Sequence, residues 1–412
     1  MLDYPLTMKP RLILSWSNFF ASVPYFATSY IIAPFLALYM PASSTGLVVS
    51  LGAIVTLVVF GFMPELVTRY GPQKLAVTFA GLTGIVLLLL GRTLAPLEAV
   101  VLVAILSGLF PLITYQLDPM LEACVEDEQT TGRVRTLFLT AGNTALLLSP
   151  VIIALLLDHA NNYGRVFLVA AMALIPFILL MFVRALPRVR ALKLKRFTDA
   201  AIGLYADHDL RAVVCCYIVL QFLFQLTPLY VPLYLHTELG MPWNELGWVL
   251  AVALIPYILV EYPAGLLADT KVGDKLLLAL GFVIAGLAFA SVSFIHAGTP
   301  IALTILLLIV LRIGSALIES MTETHFFRRV NADNADAVSV FRTMKPVGAL
   351  VAPIIGTLLL SVAGYSSLFA ISGFGILILG LASALAINPI TPIGRPRPPA
   401  AVSGTLPNTG AP

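Results

Sequence analysis

The chain has 412 residues, of which 59% are hydrophobic and 11% are charged, and its mean hydropathy is +0.97. A water-soluble globular protein carries about 25% charged residues, so this composition excludes that class and predicts that most of the chain lies in a lipid bilayer. The net charge of +3 is small and the basic residues are spread over short loops, which argues against nucleic acid as a partner.

Twelve apolar runs along the chain are long enough to cross a bilayer, which takes about 20 residues as a helix. Each run is longer than the roughly nine to eleven residues of a barrel strand and lacks its polar alternation, so helices are predicted. The expected fold is therefore an all-α membrane protein with 12 transmembrane helices. Spans 1 to 12 are predicted at residues 12–40, 46–67, 74–94, 97–119, 136–157, 165–186, 211–235, 246–268, 275–296, 300–323, 338–362 and 365–387.

The basic residues predict the orientation of these spans. If both termini are cytoplasmic, all of the 24 Lys and Arg residues except Arg92, Arg165 and Arg312 lie in the cytoplasmic loops, the termini or the inner ends of the spans. The positive-inside rule then predicts a multi-pass protein of the plasma membrane or the bacterial inner membrane, with both termini in the cytoplasm.

Two halves of the chain resemble each other. The segments PVIIALLL at 150–157 and PIIGTLLL at 353–360 share five of eight residues at an offset of 203. Duplication of a six-span unit is typical of transporters that are built from structural repeats, and it predicts two pseudo-symmetric six-helix bundles. The expected organisation is a cytoplasmic N-terminus at 1–11, a first bundle at 12–186, a basic cytoplasmic linker at 187–210, a second bundle at 211–387 and a disordered Pro-rich cytoplasmic tail at 388–412.

Two short polar hinges occupy corresponding places in the two halves. The second hinge, GLLADTKVGDK at 265–275, follows span 8, and the first hinge, PELVTRYGPQK at 64–74, follows span 2. Twelve spans, a 6+6 duplication, a basic central loop and a Gly-x-x-x-Asp hinge resemble the major facilitator superfamily. In that family the first copy of the hinge is the stronger one, whereas here Pro64 and Thr68 replace its glycine and aspartate.

The resemblance implies a gating role for the hinges. It places Asp269 opposite the start of span 5. It places the first hinge, in which Glu65 supplies the carboxylate, opposite the start of span 11. These contacts would lock one conformational state and break as the two halves rock. The alternative for each hinge is a solvated turn that only satisfies the topology. The gating candidates are Gly265, Asp269, Gly273, Lys275, Glu65, Arg69, Gly71 and Lys74.

Span 10 carries three charged residues on one helical face, Arg312, Glu319 and Glu323. Charges at this depth are costly and usually face a bundle interior or an aqueous cavity. The proton-coupling candidates are therefore Glu319, Arg312 and, in span 8, Glu261. For Glu319 a structural ion pair between helices is an equal alternative, and for Glu261 bracing of the hinge is slightly favoured over titration.

The resemblance also implies that spans 1, 4, 7 and 10 line a central cavity. Each polar or aromatic residue there is as well suited to hydrogen bonding between helices as to contact with a solute. Few fixed charges and many aromatic residues favour a neutral or amphipathic solute. Besides Glu319, the cavity candidates are Asn18, Tyr25, Tyr30, Tyr115, Gln116, Tyr217, Gln221 and Gln225.

Small residues are spaced along span 11 in a way that predicts close approach of neighbouring helices. They are Gly348, Ala352, Pro353 and Gly356.

The predicted function is secondary active transport of a small solute by alternating access, with proton coupling and with export favoured over import. The sequence contains no phosphate-loop, H-E-x-x-H or G-x-S-x-G motif, which disfavours a primary pump or an enzyme. No cofactor or metal is expected, the lipid bilayer and the solute are the expected partners, and a monomer is expected to suffice. A receptor or scaffold that reuses the same fold is the alternative.

Overall fold

The computed structural model describes residues 9–92, 95–123, 128–157, 162–182, 197–268, 273–330 and 335–388. All the secondary structure in these ranges is helical. The helices are α1 Pro10–Leu36, α2 Thr45–Tyr70, α3 Pro72–Leu90, α4 Pro96–Glu122, α5 Glu128–Leu156, α6 Tyr163–Met181, α7 Phe197–Ala206, α8 His208–Pro232, α9 Trp243–Ala268, α10 Gly273–Ser291, α11 Ile301–Arg329 and α12 Ala335–Ala386.

The described helices agree with the predicted spans. Ten segments are long and apolar enough to cross a membrane, and α9 adds a further apolar helix of 26 residues. The segment Val340–Ala386 of α12 covers spans 11 and 12, which are separated by a kink at Gly364 with φ of 75°. Helix α7 lies within the predicted linker 187–210, so part of that linker is helical, and span 7 corresponds to α8.

Local sequence signals set the helix ends. Proline at the first helical position of α1, α3 and α4 removes an N–H that would have no partner there. Asp207 caps α8 by accepting hydrogen bonds from the backbone N–H groups of Asp209 at 2.8 Å and Leu210 at 3.1 Å. Gly71, with φ of 81°, turns the chain between α2 and α3 in a conformation that favours glycine.

The outward surface of the bundle is apolar. On α6 the exposed side chains recur every three or four residues at Leu168, Met172, Ile175 and Leu179, with exposures of 49% to 63%. In water such a stripe would be a liability, whereas in a bilayer it faces the lipid tails. The packing thus supports the membrane class that the composition predicts.

Helices α1 to α6 pack mainly against one another, and helices α8 to α12 do the same. Between the two groups, α2 packs against α12, α5 against α9, and α1 against α8. We call the end where α1 begins and α12 ends the terminal face, and the end where α1 runs towards α2 the opposite face. These three pairs of helices form the main contacts between the halves.

Candidate functional site

The two halves are in intimate contact near the opposite face, where α2 meets α12. A Cβ atom added to Gly46 would lie 2.6 Å from the carbonyl oxygen of Pro353 and 2.6 Å from Oγ1 of Thr357. Tyr230 of α8 donates a hydrogen bond to the same Pro353 carbonyl at 2.9 Å. Further along the helices, the Ser50 hydroxyl donates to the carbonyl of Leu350 at 2.9 Å. Glycine is therefore required at position 46 for the halves to approach this closely.

A second contact near the opposite face joins α5 and α9. A Cβ atom on Gly247 would lie 2.5 Å from the carbonyl oxygen of Pro150 and 2.5 Å from Cβ of Ala154. Nearby, the indole N–H of Trp243 donates to the Tyr163 hydroxyl at 3.3 Å, and both side chains are buried. The α2–α12 and α5–α9 contacts occupy corresponding positions in the duplicated halves, so the opposite face is closed by two related seams.

Span 11 packs closely against a neighbouring helix, as predicted from its small residues Gly348, Ala352, Pro353 and Gly356. A Cβ atom on Gly348 would lie 2.6 Å from Cβ of Gln221, and one on Gly356 would lie 2.6 Å from Cζ of Tyr230. The prediction of close helix approach along span 11 is confirmed, and the partner is α8.

Deeper between the halves, Arg312 of α11 meets Tyr30 of α1. The two side chains are in contact and both are buried, with exposures of 8% and 2%. Tyr25 lies within electrostatic range of Tyr30, and its ring packs edge-on against Phe110 of α4 at 5.5 Å between centroids. The contact brings together residues that the sequence proposed separately, as a cavity aromatic and as a coupling cation.

Nearer the terminal face, charged side chains of both signs gather around Glu319. Arg342 of α12 donates to Glu323 Oε1 at 2.7 Å, and these two side chains are 30% and 25% exposed. Glu319 is half-buried and lies within electrostatic range of Glu323, Lys345 and Arg342. The cations beside Glu319 therefore come from α12, and Arg312 points to a different partner.

The Glu319 group extends across the interface between the halves. Exposed Asp118 of α4 acts electrostatically on Arg342, and Tyr217 of α8 lies beside the same guanidinium. The Tyr217 ring is stacked on Phe341 at 4.0 Å between centroids, and Phe341 is stacked on Phe326 at 4.0 Å. A rigid aromatic stack thus holds the charged groups on the inner surface of the second half.

Several of the predicted cavity residues serve helix packing. Asn18 donates from Nδ2 to the carbonyl of Phe138 at 2.8 Å, which ties α1 to α5. Gln116 is fully buried and donates from Nε2 to the sulfur of Met63 at 3.1 Å, and Gln221 is 2% exposed against Gly348. Tyr115 packs on Phe60 at 4.9 Å, and Gln225 is half-buried. These positions favour the interhelical alternative for Asn18.

Two glycines of the hinges have positive φ angles, and the described charged residues of the first hinge are exposed. Gly71 and Gly273 have φ of 81° and 75°, and Lys275 Nζ donates to the carbonyl of Leu385 at 2.7 Å. Glu65, Arg69 and Lys74 are exposed, and the Arg69 guanidinium lies 5.3 Å from the ring centroid of Tyr70. A Cβ atom on Gly265 would meet nothing within 4 Å. Asp269 and the side chain of Glu261 lie outside the described residues.

One network near the terminal face was not predicted from the sequence. Asp274 is 2% exposed, and its Oδ2 lies 2.7 Å from Nδ1 of His325 and 3.8 Å from a nitrogen of Arg328. A neighbouring ion pair joins Asp209 to Arg329, and Asp209 also accepts from the backbone N–H of Asn388 at 2.8 Å. The only signal in the sequence is that charged residues of both signs lie at the ends of apolar runs. That pattern does not indicate which residues pair with each other. These contacts brace the second half from within.

The family model of the Major Facilitator Superfamily matches residues 213–410. No curated protein matches the sequence significantly. The fold is similar to the crystal structure of a mutant of the nucleoside transporter NupG, with a TM-score of 0.72 and 14% identity over 92% of this chain and 100% of that one. Two structures of a POT family transporter, with a thioalcohol-conjugated peptide and with 5-aminolevulinic acid, give TM-scores of 0.71 and 0.72 at 13% and 11% identity, over 91% of this chain and 95% of theirs.

The fold and the paired seams define a polytopic helical membrane protein. The second half of the chain is similar to the Major Facilitator Superfamily model, and nearly the whole chain shares the fold of these solved structures.

Proposed function

We propose that the protein is a secondary active transporter that moves a small solute by alternating access between its two halves. In this proposal the terminal face is cytoplasmic, so the structure represents a state that is closed towards the outside. Transport as such agrees with the family and with its structural relatives.

The observation that carries the proposal is the unequal contact between the halves. Near the opposite face, glycines 46 and 247 allow backbone-level packing across both seams. Near the terminal face, the groups that face each other are charged and partly exposed, as at Asp118 and Arg342. A rocking motion about the middle of the molecule would separate the halves at the opposite face and bring them together at the terminal face, as alternating access requires.

We further propose that Glu319 couples transport to protons. The free energy of protonating a half-buried carboxylate depends on how close its neighbouring charges stand. Arg342 and Lys345 belong to α12, and Asp118 belongs to the other half, so their distances from Glu319 would change as the halves move. Solute binding and protonation would then be linked through one conformational equilibrium. Export by exchange with protons is the direction that we propose.

The hinges belong to the same proposal. Arg342, near the start of span 11, is paired with Glu323 of α11 in this structure. We propose that the second hinge, around Asp269, forms the stronger lock when the terminal face closes, because it retains the family carboxylate that the first hinge lacks.

Proteoliposomes with an imposed pH gradient test this function. The protein is reconstituted with a trapped pH-sensitive dye, and a broad panel of radiolabelled neutral and amphipathic solutes is screened for movement with and without the gradient. The proposal expects at least one solute whose accumulation follows the gradient and whose movement carries protons. Glu319→Gln should abolish the dependence on the gradient, whereas Glu245→Gln, an exposed carboxylate of α9, should leave it intact.

One outcome would overturn the proposed role of Glu319, and another would overturn the transport function itself. Gradient-dependent transport that survives Glu319→Gln would remove Glu319 from the coupling step. A panel in which no solute moves at all would favour a receptor or scaffold over a transporter.

A further inference from the structure

Arg312 differs from the other arginines of its helix in the partner that it contacts. Arg328 and Arg329, near the end of α11, lie beside the carboxylates of Asp274 and Asp209. Arg312 is 8% exposed, and the group that it contacts is the neutral phenol of Tyr30. Among the described residues no carboxylate lies within ion-pair distance of Arg312, and Glu319 is seven residues away, about 10 Å along the helix axis.

A buried cation without an anion is costly. Removing one partner from a buried ion pair costs about 3–5 kcal/mol, because the remaining charge is left uncompensated. A guanidinium also stays charged at every physiological pH, so it cannot escape this cost by losing a proton. An anion that arrived from outside the protein would recover much of this free energy.

We propose that Arg312 binds the carboxylate of a monoanionic or zwitterionic solute. This inference rests on the proposed transport function, and it replaces a neutral solute by one that carries a single negative charge at one end. A carboxylate matches the planar fork of donors that a guanidinium presents, and a single arginine at this place suits one negative group better than several.

The position of Arg312 would also let such a solute contact both halves of the protein. Tyr30 belongs to α1 of the first half and Arg312 to α11 of the second, so a carboxylate between them would contact both. The rings of Tyr25 and Phe110 lie on the first-half side of this contact and would pack against an apolar or aromatic body. The solute end is thus held by charge and its body by aromatic surface.

Matched pairs of compounds test the inference on the purified full-length protein. Phenylacetate and phenylacetamide, hexanoate and hexanamide, and phenylalanine and phenylalaninamide differ within each pair in the charge of one group. Binding is measured by thermal shift and by displacement of a radiolabelled carboxylate that binds. We expect at least one carboxylate to bind about tenfold or more tightly than its amide, the loss of an ion pair worth ~1.4 kcal/mol.

Variants separate the roles of the residues. Arg312→Gln should abolish the preference for the carboxylate, Arg312→Lys should keep part of it, and Tyr30→Phe should weaken both members of a pair by less than Arg312→Gln weakens the carboxylate. Arg165→Gln removes an exposed cation at the start of α6 and should change nothing. If Arg312→Gln fails to fold, the comparison of Arg312→Lys with the parent decides the same question.

Equal binding of acids and amides, binding of no carboxylate at all, or a carboxylate preference that persists in Arg312→Gln would overturn the inference. Failure of the transport proposal has a different signature, because carboxylates would then bind through Arg312 while no solute crossed the membrane. Transport of neutral solutes that Arg312→Gln leaves unchanged would remove this inference and keep the transporter.

Discussion

At the scale of single residues, some buried polar side chains of this protein have hydrogen-bond or ion-pair partners for all their polar atoms, and others do not. Asp274 accepts from the backbone N–H of Lys275 at 2.8 Å and pairs with His325, so both of its oxygens have partners. The Oε1 atom of Gln116, in contrast, is buried without a hydrogen-bond partner among the described residues. Removal of a satisfied group should be costly, whereas removal of an incompletely paired one should not.

Asp274→Asn should therefore destabilise the protein strongly. The change leaves His325 and Arg328 without their anion, and breaking a buried pair in this way costs about 3–5 kcal/mol. The thermal unfolding midpoint of the purified protein should fall clearly, while Glu245→Gln on the surface of α9 should leave it unchanged. The double change of Asp274→Asn and His325→Gln should cost less than the sum of the single changes. Strictly additive effects would show that the two residues are not coupled.

Gln116→Met should leave the unfolding midpoint unchanged or raise it. An orphaned buried acceptor costs about 1–3 kcal/mol, and methionine fills a similar volume without one. Solute affinity should also be unaffected if the residue only packs helices. A folded variant that no longer binds solute would instead identify Gln116 as part of the solute site.

At the scale of helices, glycines decide where the two halves touch. Gly46 and Gly247 each bring a helix of one half against the backbone of the other, and both contacts lie near the opposite face. Gly373 is equally crowded, since a Cβ atom there would lie 2.6 Å from Cα of Ala290, but both residues belong to the second half. The same residue type therefore stabilises the shape of one half in one place and the closure between halves in another.

Gly46→Val should shift the protein away from the state closed at the opposite face. Overpacking costs about 1–3 kcal/mol, which changes a conformational equilibrium about 5- to 150-fold. Leu38 and Phe294 lie in different halves and are 62% and 78% exposed. Spin labels on cysteines introduced at these two positions should lie further apart in the variant, as measured by pulsed electron paramagnetic resonance.

Two glycine controls make that measurement specific. Gly373→Val overpacks within one half and should lower the unfolding midpoint without a change in the distance between the labels. Gly61→Val adds a side chain where nothing lies within 4 Å and should change neither quantity. An unchanged distance in Gly46→Val would show that the seam does not set the conformational equilibrium.

At the scale of the whole molecule, the distribution of Lys and Arg predicts the orientation of the protein in the membrane. Arg69, Lys275, Arg328 and Arg342 all lie near the terminal face, whereas Arg165 lies near the opposite face. The positive-inside rule therefore predicts that the terminal face is cytoplasmic.

Cysteine labelling in whole cells should confirm this orientation. In a variant whose native cysteines are replaced by serine, Leu38→Cys should react with a membrane-impermeant maleimide in intact cells. Arg69→Cys should react only after the membrane is permeabilised. The reverse pattern would invert the topology and make the closed opposite face cytoplasmic.

The sequence alone predicts a helical membrane protein of two related halves, and the described helices agree with the spans that it predicts. These predictions depend on local composition and on the length of apolar runs, because a bilayer requires every spanning segment to satisfy its backbone within a helix. The spacing of small residues in span 11 is likewise a local pattern, and its predicted consequence is confirmed in the packing against Gln221 and Tyr230.

The partners of the buried charges were decided only by the tertiary structure. Arg312, Glu319 and Glu323 share a helical face, but Arg312 meets Tyr30 of α1 and Glu323 meets Arg342 of α12. His325 and Asp274 are 51 residues apart in the chain and 2.7 Å apart in space. Helical periodicity gives the direction of a side chain about its own axis, whereas its partner depends on how separate helices pack and which ends of them approach. The closure of one face between the halves is of the same kind, because it is a property of the interface and of neither half alone.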